Sequence, residues 1–361
     1  MEEAGLDRVV RAEDVAHMGI TEVVRHAPHV YSSYRRLIAS IRKRRPDVAV
    51  LIDFPDVNFR LARELKKLDI PVIYFVSPQL WAWKRKRLRW VQERVSRMMV
   101  IFPFEERFYR ERGVDAAFVG HPLAELPLPT SSRDDYAAEH GLDPTKQWVA
   151  LLPGSRWKEV TANLGEMVGI QRHLPDCEYI LPVASTINRE RVTAFLAGQS
   201  LAVHLVPDAR EALHHARVSV VASGTATVQA AVIGNPFVVV YRVSPLTFRL
   251  AKWLVRYPAE IPAQEDAYGN LPIAMVNLIA GRRVVPELIQ QQFTAAEVAN
   301  ALRPLLADTP ERAQMIACLA EVRRMLLHPG GAGSIRQVCD TVEALMGHEI
   351  PQSGRIPTAS V

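Results

Sequence analysis

Val220-Val-Ala-Ser-Gly-Thr-Ala-Thr-Val-Gln229 decides the fold. A β-branched strand ends in Ser223, Gly224 and Thr225, and a helix of small residues follows. Free amides at that helix start, with two hydroxyls beside them, suit a diphosphate. Gln229 lies one turn further on, within reach of a ribose. The stretch lacks the lysine of a nucleoside-triphosphate P-loop, and the chain has no complete GxGxxG, which argues against a nicotinamide dehydrogenase. The same layout appears at Leu151-Leu-Pro-Gly-Ser-Arg156. There Gly154 lets the backbone approach a ligand, Ser155 is expected to cap the helix, and Arg156 can make a bidentate clamp on phosphate. An ordinary βα turn with a surface arginine reads the same way.

Working outward, short apolar runs alternate with helical patterns. Strands are expected at 48–52, 71–76, 98–102 and 117–119, then at 149–152, 179–181, 202–205, 218–222 and 237–241. Repeated βαβ units predict parallel sheets covered on both faces. The expected fold is α/β, with two Rossmann-like doubly wound domains facing a cleft at the carboxyl ends of their strands. The boundaries are 1–125 for the first domain, 126–144 for a Pro/Ser-rich linker, 145–328 for the second domain, 329–347 for a C-terminal helix and 348–361 for a disordered tail. A length of 361 residues also predicts about two domains.

Composition removes several classes. Hydrophobic residues make up 48% and charged residues 23%, which excludes a disordered chain, a collagen and a coiled-coil rod. Cys177, Cys318 and Cys339 are far apart and form no CxxC, so neither a disulfide framework nor a zinc site is expected. Forty-four basic against 39 acidic residues give a net charge of +5, too mild for a nucleic-acid binder. The charge gathers in the first third, at 35–45 and 84–97. This suggests an anionic partner, although solvated helix faces would look alike. No signal peptide is visible, and no run reaches the ~18 apolar residues of a spanning helix, so a soluble or peripheral protein is expected.

Other candidates also follow strands. Asp53, at a strand's carboxyl end, is placed as a general base. Asn58 is expected to cap a helix. Trp81 and Trp83, beside Lys84 and Arg85, suit a sugar or a membrane interface. His121 is the best-placed imidazole, with a structural hydrogen bond as its plain alternative. The stretch Pro245 to Arg256 is amphipathic, with Leu246, Leu250, Trp253 and Leu254 on one stripe and Arg249, Lys252 and Arg256 between them. It could rest in a membrane interface or pack on its own domain.

Four phrases in order, VSPQLWAW (76–83), LPGSR (152–156), ASGTA (222–226) and NLIAG (277–281), resemble the lipid-A-disaccharide synthases, a GT-B glycosyltransferase family. The similarity runs from about Met1 to near Met346. It implies inverting transfer from UDP-2,3-diacylglucosamine to 2,3-diacylglucosamine 1-phosphate (lipid X). The products are the lipid A disaccharide 1-phosphate and UDP. The family is metal-independent, uses no cofactor, binds no nucleic acid, and sits on the cytoplasmic face of the inner membrane. A homodimer stays open as an assembly.

By resemblance, Asp53 matches the proposed general base, Arg156 a required arginine of the nucleotide side, and Asn277 an asparagine needed for activity. Ser223, Gly224 and Thr225 match the UDP loop. Gln229 stands where the family commonly has Glu. The family's opening strand and its Gly/Ser-rich acidic loop have no match here, so the first domain is expected to lack roughly 60 residues, two βα units of about 30 each. Two rivals remain. One is another UDP-sugar GT-B enzyme, such as a peptidoglycan N-acetylglucosaminyltransferase or a sugar 2-epimerase. The other is a non-catalytic protein that binds UDP or anionic lipid.

Overall fold

The computed structural model describes residues 5, 7–10, 20–198 and 202–347. The expected disordered tail, 348–361, lies outside the described residues. Two all-parallel sheets organise the chain. The first contains β1 (Ala49–Ile52), β2 (Val72–Phe75), β3 (Arg97–Val100) and β4 (Ala116–Phe118), in that spatial order. Right-handed crossovers between strands in sequential order place every connecting helix on one face. Period-2 alternation then divides the side chains. Val72, Tyr74, Met98 and Val100 pack with Phe59 and Leu65 of the Pro55–Lys66 helix and with Phe108. Ile73, Phe75 and Met99 belong instead to the core that includes the second sheet. On that face the edge strand β1 stays open, with Val50 36% and Ile52 51% exposed, so the face is buried only where β2 and β3 join the larger core. Each buried large apolar side chain is worth roughly 1.5–3 kcal/mol, against about 0–1 for an exposed ion pair on these helices. Apolar packing therefore fixes where the helices sit.

The second sheet contains β5 (Trp148–Leu152), β6 (Glu178–Pro182), β7 (His204–Val206), β8 (Val218–Ala222), β9 (Phe237–Tyr241) and β10 (Glu287–Ile289). Its order is β10-β9-β8-β5-β6-β7, so the winding reverses between β5 and β8. All ten strands but one match the sequence reading to within two residues. The exception is β10, three residues beginning with a charged Glu287, which pairing with β9 recruits.

Between the sheets, Ser132 accepts a hydrogen bond from the Asp135 amide and starts a helix, Arg133–His140, inside the stretch read as linker. Tyr136 and Ala137 bury this helix in the second core. At the other end, the helix Ser334–Leu345 returns to the first body: the Ser334 amide and hydroxyl donate to Glu125, and the Gln337 amide group donates to the Val119 carbonyl.

Glu105 is a buried carboxyl in the helix Pro103–Arg110. It accepts hydrogen bonds from the Ser77 hydroxyl (2.7 Å), the Trp81 indole (3.0 Å) and the Phe102 amide (3.2 Å). Desolvation outweighs these donors and pushes its pKa up to about 7. Its protonated form therefore stabilises the fold below the ordinary carboxyl range, and that contribution is lost as pH rises through about 7. The stability difference between wild type and Glu105→Gln should accordingly shrink between about pH 5 and about pH 8. Urea midpoints at both values check this, and a constant difference would reject it.

Candidate functional site

The reversal between β5 and β8 is where an open α/β sheet binds ligands, outside the carboxyl ends of the strands. The two glycine turns singled out in the sequence flank this point. Because β5 and β8 pair directly, with Leu152 opposite Val221, the turns lie about one strand spacing apart, ~4.8 Å.

The turns differ in one respect. After β5, Gly154 has φ +122°, and a Cβ there would stand 2.5 Å from the Glu159 carboxylate. That carboxylate accepts the Ser155 and Arg156 amides at 3.2 and 3.3 Å and pairs with the Arg156 guanidinium at 2.9 Å. Glu159 thus supplies the anion at this helix start, and Ser155 is not the expected cap: Arg156 takes that position, and the Ser155 amide donates to Glu159. After β8, Gly224 has φ +152°, a Cβ there would meet open space, and the helix Thr225–Ile233 has no side-chain cap. Its first amides point at an open anion position. Gln229 lies one turn along this helix and is half-buried.

Ser223 donates to the Ile273 carbonyl at 3.3 Å, and the loop bearing Ile273 is held by Glu287. Glu287 accepts the Ile273 and Ala274 amides, the Asn277 side chain (2.8 Å) and the Arg283 guanidinium (2.7 Å). Asn277 is fully buried. Its amide group donates to the Val285 carbonyl and to Glu287, and its carbonyl oxygen accepts the Val284 and Val285 amides. With every donor and acceptor used, Asn277 acts on the site through the loop it braces. Sequence reasoning missed Glu287, since Pro286-Glu287-Leu288 looks like a surface turn.

In the first body, Asp53 stands exposed at the end of β1. Asp53 and Phe54 both have φ near +45°, a left-handed conformation costly for non-glycine residues. Two hydrogen bonds converge on the Asp53 carbonyl, from the Tyr74 hydroxyl and the Asn58 amide group, each at 2.6 Å. Asn58 also donates to the Ile52 carbonyl at 3.0 Å. Asn58 is therefore not the expected cap: it lies inside the Pro55–Lys66 helix, and Phe54 takes the cap position. This arrangement turns the Asp53 carboxylate outward from the strand end.

The remaining candidates divide by burial. Trp83 is 46% exposed, and the Lys84 ammonium lies 4.1 Å from its ring centre. Trp81 is a core residue, edge-on to Phe104 and packed near Tyr257 at 5.7 Å, so it does not face the cleft. His121 is also buried: its Nδ1 accepts the Leu123 amide, and its ring packs on Phe102. Desolvation lowers its pKa to about 4, so it is a neutral helix cap rather than a proton carrier. A residue of this kind contributes stability above the usual imidazole range that is lost as pH falls toward about 4.

The two bodies meet at these same loops. Arg85 donates to the Arg256 carbonyl, Arg112 pairs with Glu260 at 2.6 Å, and Ile261 and Leu278 join the first body's core. The loop after β2 therefore adjoins the segment that follows β9, and the two sheets lie on either side of one cleft.

Two parallel α/β bodies around such a cleft define the GT-B class of glycosyltransferases and their epimerase relatives. Among solved structures, a UDP-GlcNAc 2-epimerase from Neisseria meningitidis bound to UDP-GlcNAc matches with TM-score 0.55 and 10% identity, over 91% of this chain and 84% of that one. The glycotransferase of kitacinnamycin matches with TM-score 0.58 and 15% identity, over 95% and 87%. At these identities the likeness concerns the fold alone. The family model for lipid-A-disaccharide synthetase matches residues 1–326. The lipid-A-disaccharide synthase of Acidobacterium capsulatum is 54% identical over 93% of this chain and 84% of that protein, and that of Koribacter versatilis is 50% identical over 90% and 83%. The chain belongs to the lipid-A-disaccharide synthase family.

Removing the Asn58 amide should release the Asp53 turn. Asn58→Ala is expected to cost about 1–3 kcal/mol, since it leaves the Ile52 carbonyl without this donor and the strain at Asp53 less opposed. Chemical denaturation measures it, and an unchanged midpoint would show that the turn is held elsewhere.

Proposed function

We propose that this chain transfers a 2,3-diacylglucosamine unit from its UDP derivative to the 6-hydroxyl of 2,3-diacylglucosamine 1-phosphate, with inversion. The bond from donor C1 to the diphosphate oxygen breaks, and the bond from C1 to the acceptor oxygen forms. UDP leaves, and the acceptor proton passes to Asp53. The observation that carries this reading is the uncapped turn Ser223-Gly224-Thr225 beside the β5–β8 reversal, with an outward carboxylate at the end of β1 in the opposite body.

Each group has a task. The amides of Thr225 and Ala226 and the helix dipole stabilise negative charge growing on the leaving diphosphate. Arg156 is free to join them: its side chain is 81% exposed, and an exposed ion pair such as that with Glu159 is worth only about 0–1 kcal/mol. The Gln229 amide is one turn away for the ribose. Glu287 and Asn277 are positioning residues for the 273–274 loop. The basic loop Lys84–Arg87 meets the acceptor's phosphate, and Trp83 lies on the lipid side. No helix among the described residues is long and apolar enough to cross a membrane. Both substrates carry acyl chains, so the enzyme works at the cytoplasmic face of the inner membrane without spanning it.

The test is UDP release and disaccharide formation from the two acylated substrates. Asp53→Asn should lower kcat by about two orders of magnitude or more while donor binding, read by calorimetry with UDP, stays unchanged. Near-wild-type turnover in that variant would remove Asp53 from its role. Turnover of plain UDP-GlcNAc with a non-lipid acceptor would instead favour another GT-B activity.

A further inference from the structure

The helix Pro245–Leu254 contains no buried residue. It is apolar on two sides. Phe248, Ala251 and the following Val255 are half-buried and seat it on the second body. Leu246 is 77% exposed, Leu250 53%, Trp253 72% and Leu254 49%. At ~100° per residue these four fall within about 100° of arc, roughly opposite the inner three. A surface helix needs only one apolar stripe to dock on its own domain, so the outer stripe is unexplained by the fold.

Its surroundings are cationic. No acid occurs from Arg242 to Ala259, and Arg249, Lys252 and Arg256 are exposed. None of these three forms an ion pair among the described residues. Just beyond the helix, the Arg256 amide donates to the Ala82 carbonyl at 3.4 Å, while Arg85 donates to the Trp81 and Arg256 carbonyls. The helix therefore abuts the loop after β2, which exposes Trp83, Lys84 and Lys86 and holds no acid from Gln79 to Gln92. One surface results, with a Leu/Leu/Trp ridge, a second tryptophan and a cationic fringe, beside the cleft.

We propose that the Pro245–Leu254 helix and the Trp83–Lys86 loop together form the surface that docks on an anionic lipid bilayer. This rests on the reading above that both substrates are membrane lipids, and it assigns the face that meets them. The apolar ridge enters the headgroup region, the tryptophans sit at the polar boundary, and the cations hold anionic headgroups. Charge selects this occupant over a second copy of the chain. Two such faces would oppose Arg249, Lys252 and Arg256 to their own likes, an excess that Glu265 near Lys252 offsets only in part, whereas an anionic surface neutralises them. Docked this way, the enzyme opens its cleft beside the bilayer and need not extract its substrates through water.

The experiment is flotation of the full chain with vesicles of phosphatidylglycerol and phosphatidylethanolamine, and with vesicles of phosphatidylcholine alone. Wild type should bind the anionic vesicles, more weakly as salt is raised, and phosphatidylcholine poorly. The triple variant Leu246→Ser, Leu250→Ser, Trp253→Ser should lose anionic-vesicle binding by about tenfold or more, with circular dichroism and turnover of detergent-dispersed substrates unchanged. The charge variant Arg249→Glu, Lys252→Glu leaves the ridge intact and should lose binding comparably. Undiminished binding by both variants overturns the proposal. So does equal wild-type binding to both vesicle types together with a dimer that the triple variant converts to monomer in sedimentation, since the ridge would then be a self-interface. Ridge-dependent vesicle binding without any sugar transfer supports the docking surface and rejects the transferase reading.

Discussion

The buried Glu105 carboxyl ties together parts that no backbone pairing connects. It receives the Ser77 hydroxyl and the Trp81 indole from the loop after β2, and the Phe102 amide from the start of its own helix. Trp81, fixed in this way, packs against Tyr257 of the second body. This contact between the two bodies therefore depends on one carboxyl that costs several kcal/mol to bury and is tolerable only because its oxygens are satisfied. Apolar residues of similar size could fill the space. They could not fix the Ser77–Trp81 loop in one conformation, and that loop leads directly into the exposed Trp83 and Lys84.

The two bodies build their site turns by different means. The second uses glycine: Gly154 and Gly224 take positive φ without steric cost. The first forces ordinary residues into the same region. Asp53, Phe54, Val76 and Lys84, with φ between 45° and 62°, all lie in the loops at the carboxyl ends of β1 and β2. A β-branched residue such as Val76 is especially unfavourable there. Each costs on the order of 1–3 kcal/mol and persists because its surroundings over-determine it, as Tyr74 and Asn58 do for Asp53. A glycine at 53 would relax the backbone but would remove the carboxylate that Asp53 holds exposed at the strand end.

Much of this was legible in the sequence. Buried parallel strands are nearly continuous β-branched runs, which is why 218–222 and 237–241 were read to the residue. The glycine turns stood out because a small residue, a hydroxyl and a helix start follow one another in sequence order, and only the surroundings show that Glu159 fills one of them while the other has no side-chain cap. Other residues were opaque for a physical reason. Trp81 and Trp83 are two positions apart in the same loop, yet one is core and one is surface. His121 and Asn277 are types that serve as ligands or as braces depending on which partners surround them. Glu105, within PFEERFYR, is indistinguishable in one dimension from its solvated neighbour Glu106.

The sequence by itself determined the local units: which runs are strands, where the glycine turns stand, the basic first third, and the amphipathic stretch at 245–256. These follow from side-chain volume, branching and periodicity over a few residues. Only the tertiary structure decided that the winding reverses between β5 and β8, that one face of the first sheet joins the larger core at β2 and β3 and stays open at β1, and that Asn277 spends all its hydrogen bonds on Glu287 and the 284–285 turn. It alone placed Arg256 against the loop of Trp83, across 171 residues of sequence from Arg85. Burial and partnership are properties of what comes to lie beside a residue, and distant parts of the chain supply those neighbours.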